Sequence, residues 1–438
     1  MVVPGKLVPL LLLAGALSLS AQEAAPGVDV EVGETIDVRV VNVEAVVTDR
    51  RGERVRGLNP ADFRLLVDGK EVPIDYFTEI RGGAAVAAGT EEGGLPAPAA
   101  GVVGRNLLVF VDQSYTVQSK LDLVLRELRG DLDRLGPEDR VAVVAGNAEG
   151  RLKILTGWTS DVARLRTALD QIRSEPTTGL HYYAALDSLD NDRALERVAM
   201  IGHDRPGSVG SDFGQWWDLR AARQPAWLSS LESYSAAVRG EPELWAEDEL
   251  GTTVLAAMRS FSSAPGRKVM LLVSGGWPAG QDPRVTEAAN LLGYSLYPVD
   301  VSGLQTSPVP VGAGQMGPAA PNAQYSGFIS SAWERRVHYG YEVLARETGG
   351  KASLNGLRET ALERTLDDTS SYYWLGFSPT WKADGRKHDI RLKVRQSGMR
   401  VRARRGYSDL SLQAQEALEA ESRRVIEAAG SGSGSGAQ

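Results

Sequence analysis

The chain has 438 residues, 42% of them hydrophobic, and a formal net charge of -8. An acidic balance of that kind excludes a general nucleic-acid binder, which needs a basic face. Cysteine is absent, which excludes thiol catalysis, cysteine zinc sites and disulfides together, and agrees with life in an oxidising compartment.

The first 21 residues read as a signal peptide. Lys6 precedes an apolar run, Leu7 to Leu17, broken by Pro9 and Gly15, and small residues follow at Ser18, Ser20 and Ala21. The run is short for a membrane span of about 20 apolar residues, and no later run approaches that length. The expectation is an exported protein, periplasmic or secreted, with no transmembrane segment after cleavage.

Residues 28–82 alternate apolar and polar side chains and read as the N-terminal part of a β-sandwich. Val28–Val32, Ile36–Val40, Val43–Val47, Phe63–Val67 and Val72–Ile80 are the strand runs, and Asp68-Gly69 is hairpin chemistry. Residues 83–104, rich in Gly, Ala and Pro, read as a linker.

From Asn106 the pattern changes. Leu107–Val111 is a continuous apolar run, the mark of a strand covered by helices on both faces. Leu121, Leu125, Leu128, Leu132 and Leu135 follow at helical spacing. Arg140–Ala145, Val269–Val273 and Tyr294–Val299 repeat the buried-strand pattern, with helices at Asp161–Ile172, Pro283–Leu292, Ala332–Glu347 and Leu357–Asp368. Strands alternating with helices predict a parallel, doubly wound sheet over residues 105–370. Two stretches interrupt it: 191–250, which holds Trp216, Trp217, Trp227 and Trp245, and the Pro/Gly-rich 302–327.

Residues 371–408 return to β pattern. These strands are too few to stand alone. They are expected to complete the N-terminal strands, so that the fold class is α/β, with the doubly wound sheet inserted into a β-sandwich. On this reading Arg402, Arg404 and Arg405 lie on the solvent face of an edge strand. Residues 409–438 read as a helix and a Gly/Ser tail.

In doubly wound sheets ligands sit beyond the carboxyl ends of the strands. Asp112, Ser114 and Thr116 lie just past the first long strand, and oxygen-only ligands at that spacing suit magnesium, calcium or manganese. The other reading is that Asp112 and Ser114 cap the following helix.

This Asp-x-Ser-x-Thr pattern resembles the metal-ion-dependent adhesion site of von Willebrand factor type A domains. Asp139–Val143, Gly266–Ser274 and Thr348-Gly349-Gly350 resemble further segments of that fold. Val47–Gly52, Asp62-Phe63, Val67–Lys70, Tyr372–Pro379 and Val401–Tyr407 resemble the flanking modules of exported bacterial VWFA-related proteins of the acidobacterial type. The resemblance covers roughly residues 35–408. It implies a protein-binding or adhesion role and a bound Mg2+, Ca2+ or Mn2+. One departure is plain: the family pattern Ser-Asp-Gly reads Ser274-Gly275-Gly276 here. The threonine that completes the family's site has two candidates, Thr178 in Thr177-Thr178 and Thr253 in Thr252-Thr253.

The four histidines show no metal spacing in sequence, and there is no Gly-x-Ser-x-Gly elbow or phosphate loop. The expectation is therefore not an enzyme but an exported module with a degenerate adhesion site that recognises a protein. A metal-independent subunit of an envelope assembly and a hydrolase sited in residues 191–250 are the alternatives. Trp277, Trp216 and Trp217 are candidates for the partner-binding face. The insertion tryptophans read equally as the core of that insertion.

Overall fold

The computed structural model describes residues 40–86, 104–146, 151–179, 242–264, 266–276, 283–301, 337–355, 360–381 and 383–411, with isolated positions up to 424. Contacts gather Arg39–Gln438 into one compact unit. The strand runs at Val28–Val32 and Ile36–Val40 lie outside the described residues.

Five strands form the central sheet: β6 (Arg105–Asp112), β7 (Arg140–Gly146), β8 (Leu152–Ile154), β9 (Arg267–Ser274) and β10 (Tyr294–Asp300). Their order is β10-β9-β6-β7-β8. All pair in parallel except β8, which runs antiparallel to β7.

Alternation along β6 explains the layers. Leu107, Val109 and Val111 face one side, against α1 (Gln118–Asp131), α2 (Val162–Ser174) and α6 (Ala361–Ser370) through Leu121, Leu125, Leu169 and Leu366. Leu108 and Phe110 face the other side. There they meet α3 (Pro242–Ser260), α4 (Pro283–Leu292) and α5 (337–348) through Val254, Phe261, Ala289 and Tyr341. Each core leucine or phenylalanine removed from water contributes about 1.5–3 kcal/mol, so two apolar faces on one strand fix a helix layer on each side. The sequence reading of a doubly wound sheet is the observed fold.

The remaining strands are β1 (Val41–Thr48), β2 (Phe63–Val67), β3 (Lys70–Val72), β4 (Tyr76–Arg81), β5 (Ala84–Val86), β11 (Tyr372–Phe377), β12 (Lys387–Val394), β13 (Arg400–Ala403) and β14 (Gly406–Ser408). They make two antiparallel sheets, β13-β1-β11-β4-β5 and β14-β12-β2-β3. Each sheet takes strands from both ends of the chain. Val43 pairs with Leu375, and Leu65 with Leu392. Between the sheets lie Val43, Leu65, Val67, Phe377, Ile390 and Tyr407, and beside them the rings of Phe63, Phe77 and Tyr373 at centroid spacings of 5.3–5.5 Å. The α/β layers thus enter the sandwich after β5 and leave it at β11.

Buried charge ties the two parts together. Asp368, on α6, takes the Arg54 guanidinium at 2.8 Å and that of Arg402 at 2.5 Å. The Tyr297 hydroxyl of β10 donates to it at 2.8 Å. Burial pushes the Asp368 carboxyl up, but Arg402 and Arg54 outweigh it and hold the group below the usual carboxylate range. Arg267 of β9 meets Glu44 of β1 at 2.7 Å and lies 4.1 Å over the Tyr372 ring. Arg402 also donates to the Gly349 carbonyl at 2.5 Å. The expectation of three solvent-facing arginines is therefore corrected: Arg402 and Arg404 lie partly buried against the α/β layer, and Arg405 alone is exposed. Strand alternation was read correctly, but the outer face of β13 is covered.

Replacing Asp368 by Ala leaves two guanidinium groups and a phenol without their shared acceptor. Removing one partner of a buried ion pair costs about 3–5 kcal/mol, so Asp368→Ala is expected to lose about that much in denaturant unfolding. A loss below about 1 kcal/mol would show that the cluster does not hold the parts together.

Candidate functional site

The order of the central sheet reverses between β6 and β9, so their carboxyl ends flank the switch point where doubly wound sheets hold ligands. Asp112 ends β6 and Ser274 ends β9. The Ser274 hydroxyl donates to Asp112 Oδ2 at 2.6 Å. The backbone N–H groups of Ser114 and Tyr115 donate to Asp112 Oδ1 at 2.8 and 3.2 Å. That is an Asx turn, in which a short carboxylate substitutes for a backbone acceptor. Helix α1 begins at Gln118 after Val117, with no side chain capping it, so Asp112 and Ser114 are not the helix caps that one reading expected.

Asp112 is fully buried. Burial raises its pKa to about 6, against the pull of hydrogen bonds from Ser274, Ser114, Tyr115 and Gly275. Thr116 is also fully buried, and its hydroxyl accepts from the Gly275 N–H at 2.9 Å.

Thr178 joins this loop. Its N–H donates to the Gln113 carbonyl at 3.0 Å, and its hydroxyl donates to the Ser114 carbonyl at 3.0 Å. Thr253 is placed elsewhere, on α3, with its methyl 3.3 Å from the position a Cβ on Gly146 would take. The structure therefore brings together Asp112, Ser114, Thr116 and Thr178, and sets Thr253 beside the end of β7. Trp277, Trp216 and Trp217 lie outside the described residues.

As arranged, these residues are engaged with one another and with the nearby backbone. Both oxygens of Asp112 already accept hydrogen bonds from the protein, and the Thr116 and Thr178 hydroxyls are engaged with backbone groups. Gly275 sharpens the point. A Cβ there would lie 2.3 Å from the Tyr115 carbonyl oxygen and 2.8 Å from Thr116 Cα. On the other side, a Cβ on Gly179 would lie 2.4 Å from the Thr116 carbonyl carbon. The Thr116 backbone is clamped between two glycines, and the volume of the family's aspartate is filled by main chain.

Two groups escaped the sequence reading. Asp300, at the end of β10, holds His338 Nε2 of α5 at 2.9 Å, 38 residues away in sequence. In the sandwich, Asp384, His388 and Asp409 converge, with one ligand-type atom from each inside a 4.8 Å circle. The i,i+4 spacing of Asp384 and His388 was the available signal; Asp409 arrives only through the pairing of β12 with β14.

No family model matches the chain, and no curated protein matches it. Solved structures do. An aerotolerance-related membrane protein from Bacteroides fragilis is 11% identical with a TM-score of 0.30, covering 61% of this chain and all of its own. BatB of Bacteroides thetaiotaomicron is 12% identical with a TM-score of 0.29, covering 61% of this chain and 97% of its own. The manganese-loaded TRAP protein of Plasmodium vivax is 9% identical with a TM-score of 0.27, covering 75% of this chain and 96% of its own. The von Willebrand type A-like fold of this chain rests on its own strand order and helix layers.

Two outcomes are expected. An acid whose folded pKa is raised contributes stability that is complete below its unfolded pKa and lost as pH rises through the folded value. For Asp112 that window runs from 3.8 to about 6. Relative to Asp112→Asn, the wild type should gain about 3 kcal/mol between about pH 7 and pH 3.5. A difference that stays flat with pH contradicts a buried, titrating Asp112. Gly275→Asp, which restores the family pattern, should destabilise the fold by about 1–3 kcal/mol through overpacking, with no recovery of the unfolding midpoint in magnesium.

Proposed function

We propose that this chain is an exported, non-catalytic module that recognises a protein partner at the carboxyl edge of its parallel sheet, and does so without a cation at Asp112. One observation carries the reading. The two stretches that interrupt the α/β pattern in sequence, 191–250 and 302–327, connect to that one edge. Residue 179 packs against the Thr116 backbone, and the segment 180–241 leaves from there. It rejoins the sheet at the start of α3, whose far end leads to the opposite edge at β9. Residues 277–282 follow the end of β9, and 302–336 follow the end of β10. Binding residues concentrate at connections held on a rigid scaffold.

In this reading Asp112, Thr116 and Thr178 form a brace. They fix the loop that follows β6, and with it the platform from which Trp277 and the Trp216-Trp217 segment depart. Tryptophan is enriched in the energetic centre of protein interfaces. The pattern of residues 1–21 and the absence of cysteine support export to the periplasm or beyond. Among the described residues no helix is long and apolar enough to cross a membrane. Asp300 and His338 add a polar pair at the same edge.

The test is capture of a partner from the native envelope fraction by the tagged chain, followed by reconstitution with the purified partner. Trp216→Ala combined with Trp217→Ala is expected to lower affinity about tenfold or more, while chelator leaves it unchanged. Capture abolished by chelator and restored by magnesium would overturn the cation-free reading. Capture indifferent to every change at this edge would overturn the site.

A further inference from the structure

The geometry points to a second cation site, in the sandwich rather than at the sheet edge: a divalent ion of the zinc or manganese kind, held by His388 Nε2 and the carboxylates of Asp384 and Asp409.

The imidazole is set for this work. His388 Nδ1 lies 2.7 Å from Asp68 Oδ2. When Nδ1 donates its proton there, the Nε2 lone pair points away from Asp68 and toward Asp384, whose Oδ1 lies 3.2 Å from it. A carboxylate behind the far nitrogen of a histidine fixes the tautomer and ring orientation, as in metal-bound histidines generally. Asp68 is itself held. Its other oxygen accepts from the Asp389 N–H at 2.9 Å, in a turn where its φ is +49°.

The Asp384 carboxylate and the Asp409 backbone are held as firmly. The Asp384 Oδ1 accepts from the Arg386 N–H at 2.8 Å. The Gly385 N–H donates to the Asp409 carbonyl, and the Asp409 N–H donates to the Arg386 carbonyl, both at 3.0 Å. The turn before β12 and the residue after β14 are thus fastened to each other. His388 is packed against the Tyr407 ring at 5.0 Å and the Trp381 ring at 5.7 Å. Asp409 is 3% exposed and His388 9%, while Asp384 faces solvent and gives the ion a way in.

The chemistry selects the ion. Bonds of about 2.0–2.2 Å in tetrahedral array place ligand atoms about 3.3 Å apart, and the observed 3.2 Å between Nε2 and Oδ1 already matches one such edge. One imidazole with two carboxylates suits zinc or manganese better than magnesium or calcium, which take oxygen alone. One ligand-type atom each from Asp384, His388 and Asp409 lies within 4.8 Å of the others, a span that one ion can bridge. Water completes its coordination. The ion would clasp the turn before β12 to the chain leaving β14.

The experiment uses the full chain, free of any histidine tag and 15N-labelled at histidine. Titrated with Zn2+, one equivalent should move the Nε2 resonance of His388 alone among the four histidines. Asp384→Ala, on an exposed turn, should weaken binding about tenfold or more, and Asp68→Asn, which keeps all three ligands, by about 10- to 100-fold. Asp112→Ala should leave it unchanged. An unmoved His388 at about tenfold excess of Zn2+ and of Mn2+ overturns the site, as does affinity that survives Asp384→Ala or disappears only with Asp112→Ala. Affinity unaltered by Asp68→Asn overturns the orienting role. His388→Gln, if folded by circular dichroism, should abolish the titration; if it does not fold, the Asp384 variant decides.

Discussion

Asp368 sits where three layers meet, and the arrangement of the whole compact unit turns on how its charge is met. A buried carboxylate is costly unless it is paired and hydrogen-bonded. Here the acceptor belongs to α6, one guanidinium to the loop after β1, the other to β13, and the phenol to β10. Elements drawn from the N-terminal strands, the inserted sheet and the C-terminal strands are thus bound to one group. Glu44 and Arg267 repeat the device between β1 and β9. Apolar burial builds the core of each part. Directional charge pairing adds a single relative placement, because only one docking satisfies every partner.

The same economy of polar groups explains the end of β6. Its carboxylate must be satisfied, and the Asx turn with Ser274 does so from four donors within the protein. Once those donors close on Asp112, the loop folds down tightly enough that only glycine fits at 179 and 275. The absence of the family's aspartate is then a packing consequence as much as a lost ligand. The loop is held rigidly, and rigidity is what a platform for long segments needs.

Much of this was legible in the sequence. Continuous apolar runs at Leu107–Val111 and Val269–Val273 marked strands buried on both faces, and Asp161 was read as a helix start that its side chain indeed caps, accepting from Ala163 and Arg164. The completion of the sandwich by the C-terminal strands followed from their being too few to fold alone. What failed to show were contacts set by distance in space. Arg402 alternates like a surface residue, and nothing local reveals that α6 covers it. His388 looks solitary until β12 pairs with β2 and β14, bringing Asp68 and Asp409 from 320 and 21 positions away. Thr178 and Thr253 were indistinguishable by residue type; the close approach of Gly179 to Thr116 separates them.

Three carboxylate centres thus find three different counterparts. Asp112 is met by backbone and hydroxyl donors, which share its charge without supplying an opposite one, so its proton is retained to about pH 6. Asp368 is met by guanidinium groups, which carry a permanent charge, so it stays ionised. Asp68 and Asp384 share one imidazole, with Asp409 close by, a partner whose charge is at most one and is not permanent. Of the three centres this is the one in which an imidazole stands between two carboxylates. Its Asp384 is also open to solvent. The proposed cation site therefore rests on the geometry of that cluster, away from the strand end to which the sequence motif first drew attention.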